Sequence, residues 1–436
     1  MKINPGDLIE IISDKTFKGI FLPSRNKETT IKLDSGYNMT IENKKIEKIR
    51  LLKKGEEKKD SEVISKKDSK RDTNQQKNNK SLPNLPKISI LHIGGTISSK
   101  IDYKTGAVSP LFSAQDLINM FPELNNIANI SSKQLFNIAS EDLRFKHYNV
   151  MAKEIQTEIK KGCRGIIITH GTDTLAYTSA ALSFILENLP IPVILVGSQR
   201  SSDRPSSDNY LNLISAFKFI TKTDFCDIGI CMHSSMEDNS CYILPGLKTK
   251  KLHSSRRDAF KSVNVKPIAL VKNDSVEFLS EYKKKEDIKD KELKLRLFNE
   301  KIKVGVLRVH PNMYANEFLQ YKNYNGLIIE ATGLGHIPID NDIENKKIFN
   351  ALKNLKIPLV ITTQTVFGSI NLNVYSPGRK IKEYVINNYT DILTETAFIK
   401  LAWLLSNYEK RDIKELFNKN LRGEFSSRIL AEKDFL

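Results

Sequence analysis

Long apolar runs are missing from this chain of 436 residues. No stretch approaches the roughly 20 consecutive apolar residues that a membrane-spanning helix needs. The first residues, MKINPGDLIE, contain no apolar core of a signal peptide. With 40% hydrophobic and 27% charged residues, the composition is typical of a soluble globular protein. We therefore expect a cytoplasmic protein that does not contact a membrane.

Cysteine is scarce as well, with only four residues in the sequence. None of the four shows the C-x-x-C spacing that is typical of structural zinc sites, and three lie in or beside apolar runs. We expect buried, reduced thiols rather than a metal centre or a disulfide framework. These residues are Cys163, Cys226, Cys231 and Cys241. We also expect that this chain carries no metal and no cofactor of its own.

Acidic residues are outnumbered, since 51 Asp and Glu stand against 68 Lys and Arg and leave a net charge of +17. Such an excess suits a polyanionic partner such as RNA. The lysines are interspersed with acidic residues throughout the chain, so a generally Lys-rich composition explains the charge equally well. The length allows two or three domains, because single cores rarely exceed about 250–300 residues.

Residues 1–52 have the pattern of a small, separate domain. Four short runs rich in Ile, Phe and Thr alternate with turn residues, which predicts a small antiparallel β-barrel. It contains no catalytic constellation and could bind RNA, bind a partner protein or serve in oligomerisation. Residues 53–86 are mostly Lys, Glu, Asp, Asn, Gln and Ser. They are too polar to offset the entropy of ordering, which predicts a flexible, charged linker or an RNA-contacting arm.

Strand and helix patterns alternate from residue 87 onwards, which predicts parallel sheets covered by helices. We place a first α/β domain at 87–300 and a second at 301–436, with the charged stretch 281–303 as their connection. Within the first domain, the run 134–140 is predicted to be a strand.

The first candidate site lies in residues 87–97, KISILHIGGTI. A continuous apolar run that ends on glycines is typical of a buried parallel strand followed by a tight loop. Gly94 and Gly95 allow a sharp turn and a close approach by a ligand. Thr96 then follows the carboxyl end of the strand, which is where open α/β sheets bind their ligands.

Residues 169–174, THGTDT, repeat this pattern and place Thr172 and Asp173 at the start of a helix. Backbone N–H groups at a helix start attract anions, although these two residues could simply cap the helix. We interpret His170 as a structural hydrogen-bonding residue rather than a base. If the two parallel strands are neighbours, the second loop lies beside Thr96, whose hydroxyl is a weak nucleophile until a base removes its proton.

Together, IGGTI and HGTDT resemble the two signatures of bacterial-type L-asparaginases and related glutaminases. The resemblance covers about residues 87–436. It implies an α/β fold with an asparaginase-like two-domain parallel-sheet core, here preceded by the small all-β barrel domain. It also implies that Thr96 is the nucleophile that attacks the side-chain amide of glutamine or asparagine and releases ammonia, with backbone N–H groups stabilising the oxyanion.

The same resemblance implies a second catalytic triad of Thr172, Asp173 and a lysine further along the chain. In LKTKKLHSSRRDAFKS the best match is Lys251, with Lys250 as the alternative, and an ordinary solvated basic run would explain both lysines. As a base, Lys251 must be neutral, which burial favours and the nearby Asp173 opposes.

Further matches extend the resemblance to substrate binding. NIASEDL is similar to the loop of this family that holds the substrate carboxylate, which implies that Ser140 and Glu141 bind the amino-acid backbone. Tyr103 resembles the tyrosine of the family's mobile lid, with Gly106 as a hinge, although an exposed loop tyrosine is the plain alternative. Ile93 stands where the family usually has a threonine.

Ordinary asparaginases lack an extension like residues 1–86. Together with DYKTGAV, SQRSSDRPSSDN and ATGLGHIP, it resembles the ammonia-releasing subunits of archaeal tRNA-dependent amidotransferases. This resemblance implies a partner subunit that uses ATP and Mg²⁺ to activate glutamate on glutamyl-tRNA(Gln). It also implies at least a homodimer of this chain. The alternatives are a stand-alone cytoplasmic L-asparaginase and a catalytically silent RNA-binding protein on the same scaffold, for which Ile93 is the only support.

Overall fold

The computed structural model describes residues 3–22, 27–33, 38–54, 83–95, 99–101, 108–110, 121–200, 207–426 and 429. Most of the linker predicted over 53–86 lies outside these ranges, and so do Thr96, Tyr103 and Gly106. The predictions about those residues therefore stay predictions.

An antiparallel sheet of five strands forms near the amino terminus. The strands are β1 (Leu8–Ile12), β2 (Thr16–Leu22), β3 (Glu28–Lys32), β4 (Asn38–Glu42) and β5 (Lys48–Lys53), in the spatial order β4-β3-β2-β1-β5. Successive strand residues point to opposite faces, so Ile9 and Ile11 of β1 share one buried face with Ile31 of β3. The predicted all-β domain is confirmed, and β5 is a strand that the sequence analysis did not find.

The rest of the chain alternates strands with helices. In chain order the strands are β6 (Lys87–His92), β7 (Ser99–Ile101), β8 (Val108–Pro110), β9 (Asn129–Gln134), β10 (Gly165–Thr169), β11 (Leu186–Glu187), β12 (Val193–Val196), β13 (Ile228–His233), β14 (Ser240–Pro245), β15 (Thr249–Lys251), β16 (Phe260–Ser262), β17 (Ala269–Lys272), β18 (Ser275–Phe278), β19 (Lys294–Leu295), β20 (Val304–Arg308), β21 (Gly326–Ala331), β22 (Leu359–Thr363), β23 (Ile370–Asn371) and β24 (Tyr389–Thr390). The described α-helices are α1 (Phe145–Lys160), α2 (Leu175–Ile185), α3 (Asn209–Lys222), α4 (Ala315–Leu319), α5 (Ile343–Asn354), α6 (Ser376–Ile381), α7 (Thr394–Asn407) and α8 (Ile413–Asn418).

The main sheet contains eight strands in the order β18-β17-β14-β13-β12-β10-β6-β9. Strands β9, β6, β10, β12 and β13 pair in parallel, as predicted, while β14, β17 and β18 continue the sheet antiparallel. The antiparallel part arises because residues 234–239 between β13 and β14 are too few for a parallel crossover, which needs about a dozen residues or more.

Helices cover both faces of the parallel strands. Ile88 and Ile90 of β6 belong to a buried cluster with residues of α3, whereas Leu91 and Ile93 belong to a second cluster with residues of α1 and α2. This is why β6 has a continuous apolar run rather than an alternating one.

The carboxyl-terminal part has its own three-stranded parallel sheet, in the order β20-β21-β22. Its helix α7 packs against α2 of the first part, where the rings of Phe184 and Trp403 lie 5.4 Å apart. Residues of both parts therefore share one buried cluster. The predicted domain boundary near residue 300 remains a prediction.

One strand prediction is wrong, because β9 spans 129–134 and not 134–140. The strand itself, NISSKQ, is polar and lies at the edge of the main sheet, where water can reach one side. The apolar residues that suggested a strand, Leu135 and Phe136, pack against the core from the following loop instead.

The carboxyl ends of three parallel strands meet at one edge of the main sheet. His92 of β6 pairs with Thr169 of β10, and Thr169 pairs with Val196 of β12. The loops that follow these strands, which contain both candidate motifs, therefore leave the sheet side by side.

Candidate active site

The loop after β6 is packed too closely for any side chain at its glycines. Gly94 and Gly95 have positive φ angles of 110° and 89°, which only glycine adopts without strain. A Cβ atom on Gly95 would lie 2.3 Å from the backbone nitrogen of Gly171, and one on Gly94 would lie 2.3 Å from the carbonyl oxygen of Ile138. Thr96 is the next residue in sequence after Gly95 and lies outside the described residues.

Ile93 supports this loop by packing and by backbone hydrogen bonds. Its side chain is buried in the core, its N–H donates to the carbonyl of Thr169 at 3.3 Å, and its carbonyl accepts from Ile138 at 3.3 Å. The isoleucine that stands where related enzymes usually have threonine therefore does not open the loop.

The loop after β10 brings Thr172 and Asp173 to the same edge of the sheet. The Nζ atom of Lys251, at the end of β15, donates to the hydroxyl of Thr172 at 2.9 Å and to the carboxylate of Asp173 at 2.7 Å. The three side chains that the resemblance implied as a triad are thus in direct contact, although 78 residues separate Asp173 from Lys251 in the chain.

Lys250 points away from this cluster. Because strand residues alternate in direction, its Nζ atom turns to the other side of β15 and pairs with Glu395 at 2.5 Å. The structure therefore places Lys251, and not Lys250, beside Thr172.

The triad is layered from the interior to the solvent. Thr172 is buried, the Lys251 side chain is 15% exposed, and the Asp173 side chain is 68% exposed. The carboxylate of Asp173 favours the charged form of Lys251, and the lysine donates to Thr172 in this arrangement. To act as a base the lysine must first release a proton, which the accessible side of the cluster allows.

His170 supports the loop rather than the chemistry. The Nδ1 atom donates to the carbonyl of Gly171 at 2.5 Å, and Nε2 accepts from the hydroxyl of Thr178 at 2.6 Å. Burial lowers the pKa of His170 to about 4, so the ring is neutral near pH 7. This agrees with its interpretation as a structural residue.

Ser140 also reaches the site. It is buried, and its side chain packs so closely on the second loop that a Cβ atom on Gly171 would lie 2.9 Å from its Oγ atom. The hydroxyl of Thr174 donates to the carbonyl of Ser140 at 2.7 Å. Glu141 follows on the same short turn and is exposed to solvent.

The loop after β12 is a third wall that the sequence analysis did not assign. A Cβ atom on Gly197 would lie 2.9 Å from the methyl group of Thr172. Asp208 is fully buried and accepts from the hydroxyl of Ser198 and from the backbone N–H groups of Gln199 and Arg200, at 2.9 to 3.1 Å. A glycine directly after a buried apolar strand was the available signal, since both assigned loops begin in the same way.

The hairpin that carries Lys251 is fixed by two arginines of its turn, which the sequence analysis treated only as part of a basic run. Arg256 forms a bidentate pair with Asp258 at 2.8 and 2.9 Å, and this holds the pKa of that carboxyl below its usual range. Arg257 donates to Asp238 and to the carbonyl of Met236 in the turn between β13 and β14. These contacts hold the strand from which the Lys251 side chain extends.

Several expectations concern the chain as a whole. All four cysteines are free, buried thiols, as predicted. Among the residues that the structure describes, no helix is long and apolar enough to cross a membrane. Within the same residues, no group of three or more His, Cys, Asp or Glu side chains is arranged to hold a metal ion.

Three stretches of the chain match known protein families. Residues 3–52 match the GatD N-terminal domain, residues 87–284 match the asparaginase N-terminal domain, and residues 303–417 match the glutaminase/asparaginase C-terminal domain. The family matches thus cover both α/β parts and the all-β domain.

Relatives with similarity along nearly the whole chain carry one common name, that of the GatD subunit of glutamyl-tRNA(Gln) amidotransferase. The protein of this name from Methanococcus maripaludis strain C7 is 42% identical over 440 residues, which cover 98% of this chain and 99% of the relative. Its counterpart from Pyrococcus abyssi is 38% identical over 440 residues, which cover 97% of this chain and 95% of the relative.

Solved structures of asparaginases share the fold of the larger part. The L-asparaginase of Thermococcus kodakarensis superimposes with a TM-score of 0.68 at 29% identity and covers 78% of this chain and 100% of its own. L-asparaginase I of Vibrio cholerae superimposes with a TM-score of 0.67 at 27% identity and covers 78% of this chain and 99% of its own.

Proposed function

This chain belongs to the GatD family of glutamyl-tRNA(Gln) amidotransferase subunits, and from this premise we propose that it releases ammonia from glutamine or asparagine for the amidation of glutamyl-tRNA(Gln). The observation that carries the hydrolytic part is the contact of Lys251 Nζ with both Thr172 and Asp173. The match of residues 3–52 to the GatD N-terminal domain supports the amidotransferase over a stand-alone asparaginase.

The reaction is a two-step amide hydrolysis with Thr96 as the nucleophile. Its hydroxyl oxygen bonds to the carbonyl carbon of the substrate side chain while a base takes the hydroxyl proton. The C–N bond then breaks, and the nitrogen leaves as ammonia after it receives a proton. An ester on Thr96 remains, and a water molecule hydrolyses it to restore the threonine and release glutamate or aspartate.

Lys251 serves as the base of the triad. In its neutral form it accepts a proton from the Thr172 hydroxyl at the other end of their 2.9 Å contact, and Thr172 in turn accepts one from the nucleophile or from water. Asp173 orients the lysine and stabilises the ammonium that results. Backbone N–H groups of the two glycine loops stabilise the oxyanion.

Substrate binding involves residues on either side of the reacting amide. Ser140 and Glu141 hold the amino-acid backbone, and the close packing of Ser140 on Gly171 supports this role. Tyr103 closes over the substrate as part of a lid.

The ammonia passes to a partner subunit of the GatE type. That partner uses ATP and Mg²⁺ to activate glutamate on the tRNA, and this chain needs no cofactor for its own step. The excess of positive charge suits a complex that works on tRNA. A homodimer of this chain, formed through the asparaginase-like part and located in the cytoplasm, completes the assembly.

Ammonia release by the purified chain tests this proposal. Glutamine and asparagine are supplied with and without the partner, glutamyl-tRNA(Gln) and ATP, and the Thr96→Ala variant is the control. We expect Thr96-dependent release that increases when the partner and the charged tRNA are present. Fast release by the chain alone that is unaffected by partner and tRNA would instead indicate a stand-alone asparaginase, and release unchanged in Thr96→Ala would refute the assigned nucleophile.

A further inference from the structure

A second cavity lies at the edge of the main sheet opposite the candidate active site. Its volume is about 440 Å³, which is within the usual range for sites that bind small molecules. Asp227 lines it directly before β13, whereas the loops of the candidate active site follow the carboxyl ends of the neighbouring strands. A ligand in this cavity would therefore not contact the catalytic triad.

The acidic group of the cavity is the carboxylate of Asp227. Its Oδ1 atom accepts from the backbone N–H of Ile228 at 2.8 Å, and within the described part of the chain no lysine or arginine lies within 4 Å of it. The side chain is half-buried because the cavity reaches it. Burial raises the pKa of Asp227, which shows how poorly the surrounding protein solvates its charge.

Basic groups line the same cavity. The guanidinium of Arg422 donates from Nη1 to the carbonyl of Leu421 at 2.9 Å and from Nη2 to Glu187 at 3.0 Å. Glu187 is shared with Arg296, so one positive charge of this group is not compensated. Lys283 is half-buried and lies near enough to Asp227 to influence its pKa.

The wall that carries Arg422 is firmly attached to the rest of the protein. Two residues further along, Glu424 forms a fully buried ion pair with Lys400 of α7 at 2.5 Å. The backbone N–H of Ser426 donates to Asp391 at 3.0 Å, and Asp391 also pairs with Lys248 at 2.5 Å. The cavity is therefore preformed.

The balance of charge indicates the chemical nature of the ligand. Besides the groups above, Lys266 and Glu281 are exposed at the rim. Lys248 is neutralised by Asp391, so the lining carries one positive charge more than it carries negative charges. A ligand that complements it has one ammonium group for Asp227 and two anionic groups for the basic side chains.

We propose that this cavity is a binding site for an acidic α-amino acid, of the class of glutamate and aspartate. The α-ammonium group pairs with Asp227, and the two carboxylates pair with Arg422 and Lys283. This inference goes beyond the proposed function and does not depend on it, since it would hold even if the chain hydrolysed no amide.

Titration calorimetry on the full chain with L-glutamate tests the proposal. Two matched probes of the same length are glutarate, which lacks the ammonium group, and L-norvaline, which lacks the second carboxylate. We expect L-glutamate to bind and both probes to bind at least about tenfold more weakly, since each loses one charged pair. Glutarate binding as tightly as L-glutamate would overturn the assignment of Asp227.

Variants separate this site from the catalytic site, where a product amino acid also binds. Asp227→Asn should bind one L-glutamate fewer per chain than wild type, while Asp290→Asn, with the same change at an exposed position, should bind the full number. Equal stoichiometry and affinity in both variants would overturn the proposal. Should Asp227→Asn fail to fold in a thermal melt, Lys283→Gln decides, because unchanged L-glutamate affinity in that variant would also overturn it.

Discussion

Replacement of Gly95 by alanine tests the close contact between the two glycine loops. The new Cβ atom would lie 2.3 Å from the nitrogen and 2.5 Å from the Cα atom of Gly171, whereas ordinary contacts begin at 3.4 Å. Both neighbours are backbone atoms, so the loops must separate by about 1 Å. A misplacement of that size at a reacting group costs roughly 100-fold in rate. We expect ammonia release by Gly95→Ala to fall by about that factor.

Gly162→Ala is the matched control for this variant. Gly162 has a similar φ of 79°, but a Cβ atom there would meet no atom within 4 Å. The left-handed backbone costs alanine about 1–2 kcal/mol in either variant, so urea unfolding should show a loss of this size in both. Only Gly95→Ala should lose activity. Equal ammonia release by the two variants would refute the argument that loop contact positions the nucleophile.

Three further predictions concern the stability of the fold. Lys400→Met should lower the free energy of unfolding in urea by about 3–5 kcal/mol, because it leaves Glu424 buried without its cation; a loss below 1 kcal/mol would contradict this. Burial lowers the pKa of His92 and of His170 from 6.5 to about 4. The unfolded chain therefore takes up protons between pH 6.5 and 4 that the folded chain does not. The free energy of unfolding should fall as the pH decreases through that window, with a shallower slope in His170→Gln, and an equal slope would count against it. Ile93→Thr should lower the free energy of unfolding by roughly 1–3 kcal/mol, because it buries a hydroxyl in an apolar cluster, and a stabilised variant would contradict the packing argument.

The parallel strands and the two glycine loops could be predicted because their signals are local. The apolar run of β6 ends directly on Gly94 and Gly95, and the same pattern recurs in β10 before Gly171. Neighbouring parallel strands then bring the loops together without further information. The resemblance to asparaginases supplied Lys251, because nothing local distinguishes it from Lys250 except the direction in which its side chain points.

Other elements were missed because their signals depend on distant residues. Strand β5 has the charged sequence KIRLLK, which looked like the start of the linker until β1 was available as its partner. Strand β9 is polar because it lies at a sheet edge. The buried pair of Lys400 and Glu424 joins two charged residues that local patterns assign to the surface. Its partners meet only after α7 and the final described segment have packed together.

The most direct test of the central claim compares Lys251→Met with Lys250→Met in the reconstituted complex. Amidation of glutamyl-tRNA(Gln) is measured with glutamine and, separately, with ammonium chloride as the nitrogen source. We predict that Lys251→Met loses glutamine-dependent amidation but keeps amidation from ammonium chloride, and that Lys250→Met keeps both. Glutamine-dependent amidation at the wild-type rate in Lys251→Met would contradict the assignment of the triad as the source of ammonia.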